Sequence, residues 1–170
     1  MKKFRFQCSC CGETHEGSPS FGYDSPHYYD CLSEQDKKAL GKLSDDFCTI
    51  EHDEGKDFFI RTTLEVPILG AEEGFLWGIW ISVSEANFNK YVDHYKSDTY
   101  EDHYFGWFSN KLPYYPDTLS LKASACIRPG GQRPNIELEP TEHPLSIDFR
   151  DGINWEKAVE IAEAVLHKIH

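Results

Sequence analysis

Three of the chain's six cysteines fall within four residues, in Cys8-Ser9-Cys10-Cys11-Gly12. Read as Cys8-x-x-Cys11 followed by glycine, the segment has the spacing at which two thiolates converge on one tetrahedral metal, with Zn–S bonds of about 2.3 Å. The turn between the sulfurs aims backbone N–H groups at them, and Gly12 suits the next position because glycine takes a positive φ without strain. This is the geometry of a zinc knuckle. One knuckle supplies two ligands, whereas a closed structural site needs four. His15 follows Cys11 closely enough to reach back, and Cys48 opens a predicted strand just after Asp45 and Asp46. Cys31, near a predicted helix start, and Cys10 are the remaining candidates. The preferred set is Cys8, Cys11, His15 and Cys48, holding zinc. Three other readings compete: a redox pair, which would want its cysteines opening a helix; buried inert thiols; and a zinc shared between two chains.

The other constellations carry weaker chemistry. His143, in Glu139-Pro140-Thr141-Glu142-His143-Pro144, lies among carboxylates that could raise its pKa toward an acid–base range, although a proline-capped turn at a strand end explains it as well. Arg128-Pro129-Gly130-Gly131-Gln132-Arg133 brings two arginines beside exposed backbone N–H groups, a candidate seat for a carboxylate or phosphate, with a hairpin turn as the default. Trp77, Trp80, Trp107, Tyr104, Tyr114 and Tyr115 could line a pocket, but aromatics on strands usually form core. The remaining histidines (His27, His52, His94, His103, His167 and His170) read as ordinary surface or edge residues. No P-loop, nucleophile elbow, His-Glu-x-x-His helix or EF-hand loop is present.

The elements that must position these groups are legible in outline. Phe4 and Phe6 begin a short alternating segment, followed by the cysteine turn and a Gly/Pro/Ser/Tyr-rich loop to about residue 30. Ser33 caps a short helix running to about Leu43. Of the two strands that follow, the second puts Phe58, Ile60, Thr62, Leu64, Val66 and Ile68 on one face and Arg61, Thr63 and Glu65 on the other, as in a half-buried antiparallel strand. Phe75 to Val83 is apolar on both faces and reads as a central strand, with Gly78 marking a bulge or a close backbone approach. Ser84 caps a helix bearing Phe88, Tyr91, Val92 and Tyr95 at i, i+3, i+4, i+7. Tyr104 to Pro116 reads as irregular. Leu119 to Ile127 alternates as a strand, Pro129-Gly130-Gly131 turns the chain, and Ile136 and Leu138 continue the sheet. A last helix, capped by Asn154, aligns Trp155, Val159, Ala162, Leu166 and Ile169 in one stripe. Strands in runs rather than βαβ alternation give an α+β domain, residues 1–170, with a mainly antiparallel sheet, helices on one face and the cysteine segment (1–30) integral to it.

Bulk properties narrow the function. A chain of 170 residues that is 39% hydrophobic can bury one sizeable core, so disorder is excluded for most of it. With 29 acidic against 17 basic residues, a net charge of -12 repels phosphate backbones, which disfavours nucleic acid and anionic membranes; it is compatible with a basic protein partner, although solubility alone explains such acidity as well. The start turns polar before any apolar stretch of the about 7–15 residues a signal peptide needs, and no run reaches the roughly 18 of a membrane span. The expected address is the cytoplasm, where thiols stay reduced and cysteines serve metal binding, redox chemistry or burial.

Nearly the whole chain resembles a bacterial family known as domain of unknown function 2199. The resemblance rests on Cys8-Ser9-Cys10-Cys11-Gly12-Glu13-Thr14-His15 with Pro19, on Leu43-Ser44-Asp45-Asp46-Phe47-Cys48, on Phe58-Phe59-Ile60-Arg61 running to Glu65-Val66-Pro67-Ile68, and on Phe75-Leu76-Trp77-Gly78. Tyr115-Pro116-Asp117-Thr118-Leu119, Arg128-Pro129-Gly130 and His143-Pro144-Leu145 fit as well. The family pattern implies Cys-x-x-Cys-Gly-x-x-His and a cysteine at position 48, in line with the preferred ligand set, while Cys10, Cys31 and Cys126 look like additions of this chain. It implies no activity. The leading expectation is a small protein with structural zinc that binds a partner. The alternatives are a hydrolase, zinc-dependent or built on His143, and a Cys-x-x-Cys redox protein.

Overall fold

A computed structural model describes residues 1–167; Ile169 and His170, placed above on the last helix and at the surface, lie outside the described residues. The chain forms a small barrel extended by extra strands. Five strands close a ring: β6 (Gly55–Val66), β7 (Phe75–Val83), β8 (Asp102–Phe108), β9 (Lys122–Ile127) and β10 (Asn135–Leu138). Neighbours in the ring are antiparallel except where β10 returns to β6 in parallel, through Asn135 opposite Thr63. Beyond β6 the sheet continues through β5 (Phe47–His52) and β4 (Gly41–Leu43), and β3 (Ser20–Gly22) adds to β7 in parallel. A separate two-stranded hairpin, β1 (Arg5–Gln7) and β2 (Thr14–Glu16), stands off this sheet.

The alternation of β6 decides its orientation. Phe58, Ile60, Leu64 and Val66 join the main core, with Trp77, Ile79 and Ile81 of β7 beside them and Leu145, Ala158 and Ile161 of the helices packed on. The helices of this side are α3 (Glu85–His94), α4 (Pro144–Asp151) and α5 (Trp155–Leu166). Ser84 and Asn154 cap α3 and α5 as their sequences suggest, each accepting a backbone N–H three residues on. The opposite face buries a smaller cluster of Cys48, Ile50, Phe59 and Trp80 under Tyr23, Tyr29 and Leu32. Here α1 (His27–Asp30) lies across the sheet, Tyr28 stacking on Phe59 with ring centroids 6.0 Å apart. Helices therefore cover both faces, because apolar side chains point both ways from β5, β6 and β7.

Two further departures from the sequence reading have local causes. The helix capped by Ser33 is α2 (Glu34–Leu40), and Gly41–Leu43 leaves it as a strand. The stretch read as irregular from Tyr104 contains β8, in which Tyr104, Gly106 and Phe108 face the core and Phe105 and Trp107 face solvent. Gly106 is demanded by packing, since a Cβ there would lie 2.7 Å from both Ile81 Cδ1 and the Ser82 carbonyl oxygen. Gly78 marks a close approach, its would-be Cβ lying 3.2 Å from Gly22 Cα on β3.

Candidate metal centre

The cysteine segment is the loop of the β1–β2 hairpin. Strand pairing of Arg5 with Glu16, Phe6 with His15 and Gln7 with Thr14 brings Cys8 and Glu13 to its mouth, where the Cys8 N–H donates to the Glu13 carbonyl at 2.8 Å. The Gly12 N–H donates back to the Cys8 carbonyl at 2.9 Å, and the turn closes with Gly12 at φ +75°. Space is open around that glycine, so the requirement is conformational.

Four side chains converge at this corner: Cys8, Cys11, His15 and His167, whose ligand atoms all lie within 4.8 Å of one another. His167 Nε2 sits 3.0 Å from Cys8 Sγ, and His15 Nε2 sits 3.6 Å from Cys11 Sγ. A tetrahedral zinc with ordinary Zn–S and Zn–N bonds sets ligand atoms about 3.3–3.8 Å apart, so closing on an ion requires shifts of roughly 1 Å at most. Cys8 is buried and Cys11 exposed, which places the corner at the surface with one wall inside.

His167 reaches the hairpin because α5 docks against it. Trp155, in the first turn of α5, packs on Phe4 at 4.8 Å between ring centroids, and its Nε1–H donates to the Arg5 carbonyl at 3.2 Å. Two turns later Glu163 accepts the Ser9 backbone N–H at 2.6 Å and the Ser9 hydroxyl at 2.9 Å. Those two donors, the backbone one first, hold the Glu163 carboxyl below its usual range. His167 lies one turn beyond Glu163 on the same face, so the carboxylate fixes the loop where the imidazole meets it.

The Cys11 thiol accepts a lowering interaction from the Glu13 backbone, yet desolvation and the adjoining Cys8 sulfur carry it above the ordinary thiol value. A metal bound between the two sulfurs would take the place of their protons.

Cys48 does not join the corner. On β5 it pairs with Phe59 and sits fully buried in the small cluster with Ile50 and Trp80. Burial, with the Asp30 charge second, pushes its thiol up to about 12. The neighbouring residue Phe47 faces α3 instead, packing on Phe88 and Tyr91. Strand parity therefore sends Cys48 to the far side of the sheet. Cys31 is exposed, 3.4 Å from His27 Nε2, and Cys10 is exposed beside Ser9. Sequence reasoning set His167 among the surface histidines; its distance along the chain from the cysteines left no spacing to notice.

The other candidate groups are committed elsewhere. His143 caps α4: its Nδ1 accepts the Leu145 N–H at 3.1 Å, and its Nε2 faces the Asp117 and Pro116 carbonyls at 3.1 and 3.3 Å. Those contacts assign the Nε2–H tautomer and leave neither nitrogen free for a reacting proton. Arg128 donates Nε–H and an Nη–H to the Arg133 carbonyl, closing its own turn. Arg133 Nε pairs with Asp46 at 3.0 Å, and Asp46 also accepts the Tyr95 hydroxyl at 2.6 Å. An anion entering there would face an already neutralised arginine. Trp77, Trp80 and Tyr104 are core, Tyr115 bonds to Asp148 at 2.8 Å and Tyr114 to Glu160 at 2.9 Å, while Trp107 is exposed.

No helix among the described residues is long and apolar enough to cross a membrane. Comparison with curated proteins and with solved structures gave no match. A family match does exist, over residues 7–153 of the 170; that span includes Cys8, Cys11 and His15 and ends before His167. The chain belongs to the bacterial family described as "Uncharacterized protein conserved in bacteria (DUF2199)".

Proposed function

We propose that the corner formed by Cys8, Cys11, His15 and His167 holds one structural zinc ion, which staples the N-terminal hairpin to the end of α5 in a protein whose task is to bind a basic partner. The observation that carries this reading is the convergence of four soft or borderline donors within 4.8 Å from two elements far apart in sequence. Two thiolates with two imidazoles suit tetrahedral zinc better than magnesium or calcium, which take oxygen ligands. A catalytic zinc keeps a position open for water, and four protein donors fill the shell. A redox role is disfavoured because Cys8 and Cys11 sit in a hairpin loop rather than at a helix start. The partner's charge follows from the net -12 of the chain.

Metal analysis of protein purified in zinc-replete medium tests the centre, with about one zinc per chain expected. Cys8→Ser and Cys11→Ser are expected to lose it and Cys48→Ala to retain it. Protein that stays folded and takes up no stoichiometric metal refutes the staple. Zinc retained in Cys8→Ser but lost in Cys48→Ala would move the site elsewhere.

A further inference from the structure

We propose that a notch on the outer face of the barrel, floored by Ser82 and walled by Trp107 and by Tyr28 over the buried Phe59, receives a cationic side chain, arginine or lysine, from the protein partner. The inference names the chemistry of the basic partner proposed above; it does not depend on the metal centre.

The notch is written in the strand register. Phe59 of β6 lies opposite Ser82 of β7, Ser82 opposite Trp107 of β8, and Trp107 opposite Lys122 of β9. Residues opposed in this way share one face of the sheet. One row thus runs aromatic, small, aromatic, cationic, and the small residue leaves the gap. Tyr28, stacked on Phe59, raises one wall, and Asp57, two residues before Phe59 on the same face, contributes a carboxylate. The resulting cavity measures about 480 Å³ and includes Ser120 at its edge. A second cleft of about 400 Å³ shares Ser82 and Trp107 and continues past Phe105 and Asn87, so Trp107 stands as a ridge between two depressions.

The surface is costly to leave bare. Tyr28, Phe105 and Trp107 expose 40%, 48% and 41% of their area, and Phe105 meets Trp107 edge-on at 5.1 Å. Aromatic residues gathered in a groove with polar margins have the composition of an interface centre. The occupant's charge is set by what lines the gap. Aromatic faces carry negative potential and attract cations, most strongly on tryptophan. Asp57 adds a half-exposed carboxylate, 3.2 Å from His52 Nε2. A purely apolar segment would desolvate Asp57 for nothing in return, whereas a guanidinium or ammonium can lie against the exposed Trp107 ring and reach it. Lys122 Nζ already sits over the Trp107 ring at 5.8 Å, which shows that this indole accepts a cation and also places a competing charge beside the notch.

Lys122 gives the test its sign. The probes are acetyl-Gly-Arg-Gly-amide, the same peptide with citrulline (matching shape, no charge) and the same peptide with glutamate. They are titrated into the intact zinc-treated chain while the indole N–H signals are followed by NMR, with Trp107 assigned through Trp107→Phe. The arginine peptide is expected to move the Trp107 indole saturably and to bind about tenfold more tightly than the citrulline peptide. Trp107→Ala is expected to weaken it by about tenfold, Asp57→Asn by about three- to fivefold, and Lys122→Gln to tighten it by about two- to threefold. Equal binding of the citrulline peptide, preference for the glutamate peptide, or weakening by Lys122→Gln overturns the proposal. A deca-arginine peptide that binds wild type and Trp107→Ala equally would also overturn the notch, while leaving the acidic chain's affinity for basic partners intact.

Discussion

Removing His167 isolates what a zinc bound at the proposed centre would contribute to holding the two ends of the chain together. Cys8, Cys11 and His15 all belong to one hairpin, so His167→Ala leaves three of the proposed ligands in place and would cut only the metal's link to α5. The link is not the sole one: the Phe4–Trp155 contact and the two Ser9–Glu163 hydrogen bonds stay. Without metal the variant should therefore match wild type to within about 0.5 kcal/mol, as for a partly exposed residue at a helix end. With zinc buffered at about 100 times the wild-type Kd, binding stabilises wild type by about 2.7 kcal/mol. If losing one of four ligands weakens the site about a hundredfold, the same zinc stabilises His167→Ala by only about 0.4 kcal/mol. The difference of about 2.3 kcal/mol corresponds to a Tm gap of roughly 5–9 °C for a chain of this size. Thermal unfolding followed by circular dichroism, with chelator and with buffered zinc, reads both numbers. A variant that keeps the full zinc-induced rise, or that loses the same Tm with and without metal, would refute the assignment of His167 as a ligand.

Other perturbations probe the frame around the site. Gly106→Ala puts a methyl 2.7 Å from the Ser82 carbonyl oxygen, so a loss of about 1–3 kcal/mol is expected in urea unfolding, with zinc content unchanged. His143→Ala removes the α4 cap and is expected to cost about 1 kcal/mol of stability without altering metal uptake. Alkaline unfolding reads Cys48: its thiol is raised to about 12 in the fold, so the stability it protects is whole below the ordinary thiol pKa of about 9 and is lost as pH rises toward 12. Cys48→Ala should accordingly unfold with a shallower pH dependence across that window. Thiol labelling at neutral pH is expected to modify Cys10 and Cys31 at once and Cys11 only after chelation, because all three are exposed but a metal would cover one.

What the sequence disclosed follows from how local each signal is. The alternation in β6 was legible because a single period-two stripe from Phe58 to Val66 answers to one buried face. The Ser84 and Asn154 caps were legible because each acts within three residues. β8 was not, since Gly106 reads as a breaker until Ile81 and Ser82 are known to crowd it. α4 hid behind His143-Pro144: histidine is not among the usual capping residues, and proline, at the first turn, looked like a stop. Ring closure depends on one parallel contact between Asn135 and Thr63, which no local pattern encodes. The candidate metal corner divides in the same way. Cys8, Cys11 and His15 lie within one hairpin and share a motif, whereas His167 arrives only because Trp155 and Glu163 bind α5 to that hairpin. Cys48 looked suitable by residue type, and only the parity of β5 sends it to the opposite face.

X-ray absorption at the zinc edge of the full-length chain tests the proposed centre most directly. Two sulfurs at about 2.3 Å and two imidazole nitrogens at about 2.0 Å are expected, with the nitrogen count falling to one in His167→Ala. A shell of three or four sulfurs, or one dominated by oxygen, would contradict it.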